Sequence, residues 1–164
     1  YDPGLLVYFI AAREPGLQIE NPRQVSAFHY PRQYGPRSPA FSRARLKRWN
    51  TVQHLYVSGT ASVVGHETRH PHAALAQLGE AVRNLEVLLE QASHAQPALP
   101  PGHLSDLALL KLYVRPGVDI EPLQAMLHGL LGAQTPCLLL GGEICRQDLL
   151  VELEGLYAAP IHQQ

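Results

Sequence analysis

The amino-acid sequence predicts an α/β fold, a mixed sheet with helices packed on one face. Two observations carry this. Leu75, Leu78, Val82, Leu85 and Leu89 recur at three- and four-residue steps, the spacing of one helix face. From Gln53 onward, apolar runs of strand length alternate with such helical stretches, in the order strand, helix, strand, helix, strand, strand. With 164 residues, 46% of them hydrophobic and 16% charged, the chain suits one domain with its own core and is too apolar for disorder.

Taken in order, Leu5 to Ala12 reads as a strand, closed by the turn signal Arg13-Glu14-Pro15-Gly16. The stretch Tyr34-Gly35-Pro36-Arg37-Ser38-Pro39 cannot be regular helix, because its prolines and glycine interrupt any ladder. It reads as a structured loop. In Gln53 to Ser58, Leu55 and Val57 alternate with His54 and Tyr56, as in a strand that enters Gly59. A helix is expected from about Pro71, a residue tolerated at the first helical position, and fades at Ser93. Its leucine stripe is core, and Glu80, Arg83, Glu86 and Glu90 decorate the remainder. Gln96 to Gly102, with three prolines, reads as a rigid surface linker.

Leu107 to Val114 predicts a largely buried strand, with Lys111, Tyr113 and Arg115 on one side towards its end. Asp119 is a good N-cap for a helix that carries Leu123, Met126, Leu127, Leu130 and Leu131, ended by Gly132. Cys137 to Leu140 is a third strand, bent at Gly141-Gly142. In the last strand Leu149, Val151 and Leu153 alternate with Leu150, Glu152 and Glu154, so two carboxylates share a face.

The net charge of -1 hides a segregation. No acid lies between Asn21 and His66, while 7 of the 13 basic residues fall between Arg23 and Arg48, and 11 of the 14 acids follow from Glu67 onward. A loop with fixed cations either holds an anionic ligand or is a solvated basic surface. The acids downstream argue against nucleic acid as its partner. No apolar run reaches the roughly 18 residues of a membrane span, and no signal-peptide pattern opens the chain, so a cytoplasmic protein without membrane partners is expected. Two cysteines are too few for a disulfide framework. Because Tyr1 opens the sequence and Met126 is its one methionine, a piece of a longer protein is expected.

No P-loop, dinucleotide fingerprint or nucleophile elbow is present. His66, His70 and His72 cluster around Glu67, but Pro71 disfavours a helical ligand pair, and a surface cluster fits better than a metal site. Glu152, between two apolar neighbours, is either solvated or desolvated inside a site; in the second case it would be a general acid near neutral pH. Cys145 by itself reads as a small buried hydrophobe.

Three stretches together resemble a known family. They are Tyr34-Gly35-Pro36-Arg37-Ser38-Pro39-Ala40-Phe41-Ser42-Arg43-Ala44, Val57-Ser58-Gly59-Thr60-Ala61-Ser62-Val63-Val64-Gly65-His66-Glu67 and Ile144-Cys145-Arg146-Gln147-Asp148-Leu149-Leu150-Val151-Glu152-Leu153-Glu154. In sequence and order they resemble the chorismatases, enzymes that release pyruvate from chorismate. The resemblance covers nearly the whole chain. It implies a YjgF/RidA-like (chorismate-mutase-like) fold, that of a trimeric group, so that a homotrimer is one expected assembly. It also implies that residues 1–164 are the C-terminal domain of a longer enzyme whose N-terminal part is absent.

By resemblance, Glu152 protonates the enol ether of chorismate, and water or the neighbouring hydroxyl captures the resulting cation. Ala61 and Cys145 fall on positions that select the product; the cysteine implies 3-hydroxybenzoate, with 4-hydroxybenzoate as a second product in bifunctional members. Tyr34, Arg37 and Arg43 are the expected carboxylate binders, while Arg32, Arg45 and Arg146 could equally be structural. No metal or organic cofactor is required by this chemistry. RidA-like imine hydrolases use an arginine at the place that falls on Cys137 here, so that activity lacks its anchor. The remaining alternative is a small-molecule-binding or trimerisation module without catalysis.

Overall fold

In a computed structural model, the description covers residue 7 and residues 9–96, 102–131 and 135–161. Eight strands and two helices follow one another: β1 (Leu17–Ile19), β2 (Ala44–Arg48), β3 (Val52–Ala61), β4 (Val63–Val64), β5 (Glu67–Thr68), α1 (Ala74–Ala95), β6 (Leu109–Val114), α2 (Glu121–Leu131), β7 (Cys137–Gly141) and β8 (Val151–Pro160). Six strands form one mixed sheet in the order β1-β2-β3-β8-β6-β7, and β4 with β5 forms a small separate ladder. β8 pairs antiparallel with β3 on one side and with β6 on the other, so β3 and β6 run parallel with β8 between them. β6 and β7 are parallel, joined through α2, because parallel neighbours need a crossover longer than a hairpin.

Alternation along the strands decides the faces. Leu55 and Val57 on β3, Leu110, Leu112 and Val114 on β6, and Val151 and Leu153 on β8 enter one core with Leu78, Leu85, Leu88 and Leu89 of α1 and Leu123, Leu127 and Leu131 of α2. Both helices therefore cover the same face, as the element order predicts. Residues at the alternate positions, Tyr56, Lys111, Tyr113, Glu152 and Glu154 among them, face the other way. The four leucines of α1 in this core are all at most 2% exposed, each contributing about 2 kcal/mol of burial.

The structure corrects several local readings. Of the strand expected over Leu5–Ala12, residues 1–6 and 8 lie outside the described residues. The rest is not strand, and Val7, Phe9 and Ile10 are exposed. The strand that pairs with β2 comes after the turn instead, where Arg45 donates to Gly16 O at 3.0 Å and Lys47 to Glu14 O at 3.1 Å. α1 begins at Ala74 rather than Pro71, since His70 and His72 both adopt positive φ (54° and 64°), which breaks a helix. Leu75, in its first turn, is 48% exposed and not part of the core.

Glu80 is buried, not decorative, because Arg23 crosses over α1 to pair with it and also donates to Asn84 Oδ1 at 2.7 Å. β6 starts at Leu109 and alternates regularly, although four apolar residues in a row conceal this in the sequence. The last strand starts at Val151, not Leu149, and runs to Pro160. The helix begins at Glu121, so Ile120 takes the cap position and Asp119 lies one residue ahead of it, its carboxylate accepting from the Glu121 N–H at 3.2 Å. Most of the expected linker (residues 97–101) and Gly132 lie outside the described residues.

Candidate active site

On the face away from the helices, a cleft of about 980 Å³ opens where β3 meets β8. Its floor is set by one irregularity in the sheet. Val57 pairs with Gly155 and Thr60 with Leu153, so three steps on β3 match two on β8, which defines a β-bulge at Ser58-Gly59. Beyond it Ala61 stands opposite Glu152. The bulge brings Gly59 so close to the Glu152 carboxyl that a Cβ there would overlap Oε1. The missing side chain of Gly59 is the space that the carboxyl occupies.

Among the described residues nothing hydrogen-bonds to the Glu152 carboxyl. Burial pushes its pKa above the usual carboxylate range, and the negative charge of Glu154 adds to this. A carboxyl without donors and with a like charge nearby favours its neutral form. Of the two readings the sequence left open, the half-buried position of Glu152 in the cleft floor favours desolvation.

The opposite wall is cationic. Arg43 is 5% exposed; its Nη2 donates to Val25 O at 2.9 Å and to the Tyr30 hydroxyl at 2.7 Å, and its guanidinium lies over the rings of Tyr30 and Phe41. Its buried Nε has no hydrogen-bond partner among the described residues. Arg146 donates from Nη1 to His66 O at 2.9 Å and stacks on Tyr34 with 4.0 Å from Cζ to the ring centroid. Tyr34 is held from its other end by His66 Nδ1 at 3.2 Å. Arg37 is exposed at the cleft and makes no ion pair or hydrogen bond among the described residues. Three guanidinium groups thus line the cleft that holds the desolvated Glu152 carboxyl, an arrangement suited to a small dianion.

Cys145 lies on the loop between β7 and β8, and its exposed surface faces this concave cleft. Burial pushes its thiol up; Glu152 adds to the rise, while Arg146, a backbone hydrogen bond and Arg43 pull the other way without prevailing. A raised pKa at the cleft wall favours the thiol over the thiolate. Arg115, just past β6, fixes this loop, donating to Leu149 O (3.1 Å), Ile144 O (3.1 Å) and Arg146 O (2.9 Å), and pairing with Glu143 at 2.8 Å. Arg115→Ala is expected to cost about 2–3 kcal/mol of stability through three abandoned carbonyls, to be read by denaturant unfolding.

All six residues singled out from the sequence, Tyr34, Arg37, Arg43, Ala61, Cys145 and Glu152, line this one cleft. Of the three arginines left as structural, Arg146 lines it too, whereas Arg45 serves Gly16. Sequence reasoning missed Gln24 and Tyr30. Both reach the cleft from a segment that carries no periodic signal, and Gln24 is placed by its amide donating to Val63 O at 3.0 Å.

The clustered histidines diverge, with His66 at Tyr34 and His70 Nε2 3.7 Å from Glu80. Among the described residues no group of three or more His, Cys, Asp and Glu could hold a metal ion, and no helix is long and apolar enough to cross a membrane. Cys137 starts β7 at the sheet edge, separated from the cleft strand β8 by β6.

No family model matches the chain. It is 38% identical over 159 residues to a 3-hydroxybenzoate synthase of Streptomyces hygroscopicus, a match that takes in 93% of this chain and 47% of that protein. A chorismatase crystal structure aligns with a TM-score of 0.78 at 33% identity, over 85% of this chain and 43% of that one. RidA from an Antarctic Psychrobacter aligns with a TM-score of 0.55 at 20% identity, over 73% of this chain and 88% of its own, a likeness of fold alone. The fold is therefore YjgF/RidA-like, as expected, and the chain spans about half the length of the curated relatives it matches.

Proposed function

This chain is homologous to the chorismatases over nearly its whole length and about half of theirs, and from that kinship we propose that its cleft converts chorismate to pyruvate and 3-hydroxybenzoate. One observation carries the proposal: a desolvated Glu152, without a hydrogen-bond donor among the described residues, shares a cleft with three arginines. Chorismate is a dicarboxylate whose reactive group is an enol ether, so it needs cations at its ends and an acid at its methylene carbon. Arg37 and Arg43, with Tyr34, take the carboxylates, and Arg146 adds a third positive charge to the same wall.

Glu152 gives its proton to the methylene carbon, and the enol ether becomes an oxocarbenium ion. The neighbouring hydroxyl captures this cation, pyruvate leaves, and the ring aromatises with loss of a proton that restores the acid. The atoms of chorismate divide between pyruvate and hydroxybenzoate with no water consumed. Cys145 and Ala61 favour this internal route by filling the space in which a competing water would stand. Release of 4-hydroxybenzoate is a minor outcome of the same cation. Assembly as a homotrimer, expected from the same kinship, is to be measured by light scattering on the purified chain.

The test is to incubate the chain with chorismate, follow pyruvate, and separate the ring products. Pyruvate with 3-hydroxybenzoate supports the proposal; a non-aromatic diol would move the chain to hydrolytic chemistry; no pyruvate would overturn it. Because the active form of Glu152 is its acid and its pKa is raised, kcat/KM is expected to hold through mildly acidic pH and to fall as pH rises through that pKa. A rate that climbs with pH would contradict the general-acid role.

A further inference from the structure

Glu154 sits two residues beyond Glu152 on β8 and on the same face of the sheet, in a polar cluster that the chemistry above does not use. In register, Tyr113 of β6 stands opposite Glu152 and Lys111 opposite Glu154. Only one of the two hydrogen bonds follows that register. Lys111 Nζ donates straight across to Glu154 Oε1 at 2.7 Å, whereas the Tyr113 hydroxyl leans diagonally to Glu154 Oε2 at 2.8 Å. Both oxygens of Glu154 are thereby fixed, and the phenol that stands opposite Glu152 in register donates to Glu154 instead.

We propose that Glu154, tethered by Lys111 and Tyr113, is a positioning residue that keeps Glu152 in its neutral, proton-donating form. It acts in two ways. Its fixed carboxylate opposes a second negative charge on the same strand face, and it claims the Tyr113 hydroxyl, a donor that would otherwise stabilise an ionised Glu152. The other charged or titratable groups around Glu152 are Arg43, Arg37, Tyr30 and Tyr34 across the cleft, and Cys145 and Arg146 on the loop before β8; Glu14, Arg45, Lys47 and Tyr56 line the hollow on the Glu154 side. The arginines favour the anion, so a counterweight on the strand itself is what lets an acid survive beside them. The direction of the Glu152 pKa, raised by burial first and by Glu154 second, agrees. The inference rests on the general-acid reading of Glu152.

The experiment titrates the Glu152 side-chain carbon by carbon-13 NMR in the whole chain, its signal assigned by its loss in E152Q, and records the pH dependence of kcat/KM in parallel. In E154Q, which keeps the shape but removes the charge and leaves one acceptor oxygen where Lys111 and Tyr113 each had their own, Glu152 is expected to ionise at lower pH. The alkaline limb of kcat/KM should move with it, with roughly fivefold lower kcat/KM at neutral pH and the acid plateau retained. Lys111→Gln should move both in the opposite direction, since it removes the cation that offsets Glu154.

A loss that is uniform in pH would mark a merely structural role and overturn the proposal, as would unchanged Glu152 ionisation in E154Q. Should E154Q not fold, the Lys111→Gln shift decides: upward supports, absent or downward overturns. The NMR titration needs no substrate. A chain that leaves chorismate intact but shows both shifts defeats the chorismatase reading and leaves the role of Glu154 standing, whereas turnover without the shifts does the reverse.

Discussion

Replacing Glu152 by glutamine is expected to lower pyruvate release from chorismate by about a thousandfold while the chain still folds. The amide has nearly the shape of the acid, so the contact with Gly59 is preserved and the proton is what is lost. Stability gives an independent reading. The Glu152 pKa is raised in the folded state, so the native chain binds more protons than the unfolded one between the two values. Its contribution to stability is therefore present at low pH and is lost as pH rises from the unfolded pKa through the folded one. Above that window a desolvated carboxylate weighs on the fold, and E152Q, which cannot ionise, should melt a few degrees above the parent at mildly alkaline pH and level with it in acid. Differential scanning calorimetry at the two pH values checks this. An E152Q chain that melts lower at alkaline pH would mean that the carboxylate is stabilised by donors and is no reservoir of protons.

The second large effect is expected at Gly59→Ala. A methyl group there overlaps Glu152 Oε1, and the atoms on both sides belong to paired strands. Something must shift, and the side chain of Glu152 yields more easily than the backbone. A displacement of about 1 Å at a reacting group lowers turnover by roughly a hundredfold. The control is Gly155→Ala, three residues along β8, where a Cβ would meet Leu107 and Val57 at 3.6–3.7 Å, ordinary contact. Steady-state kinetics on the two variants should separate them by most of that factor. Equal losses would show that the sheet, not the fit around the carboxyl, limits the rate.

How far the sequence could anticipate this depends on what each residue answers to. Leu55, Val57, Val151 and Leu153 answer to the two-residue rhythm of their own strands, and the core leucines of α1 from Leu78 onward to the helical one, so their burial is legible from spacing. Glu80 has the spacing of a surface residue, and only the crossing of Arg23, distant in sequence, makes it an interior ion pair. Leu75 fits the helical rhythm but lies in the first turn, where burial falls away. For the site, the basic segment and the two carboxylates on one strand face are visible as composition and alternation. The choice between a solvated and a desolvated Glu152 is not, because it is made by Gly59 and by the loop of Cys145, which approach from other parts of the chain. Gln24 and Tyr30 are invisible for the same reason.

The place of β8 has a consequence for how the molecule comes into being. It is the last strand of the sheet in sequence, yet it stands in the middle of it, with β3 on one side and β6 on the other. Until it is synthesised, β1-β2-β3 and β6-β7 are two ribbons with open edges that have no ladder between them. A nascent chain held at the ribosome can form its helices and hairpin early, but it cannot seal its interior. The strand that seals it also delivers Glu152, so folding and the completion of the cleft are one event. Assembly from such distant pairings is slow by its topology, and the interval in which the two ribbons wait is the one in which a chaperone or a neighbouring chain would find them.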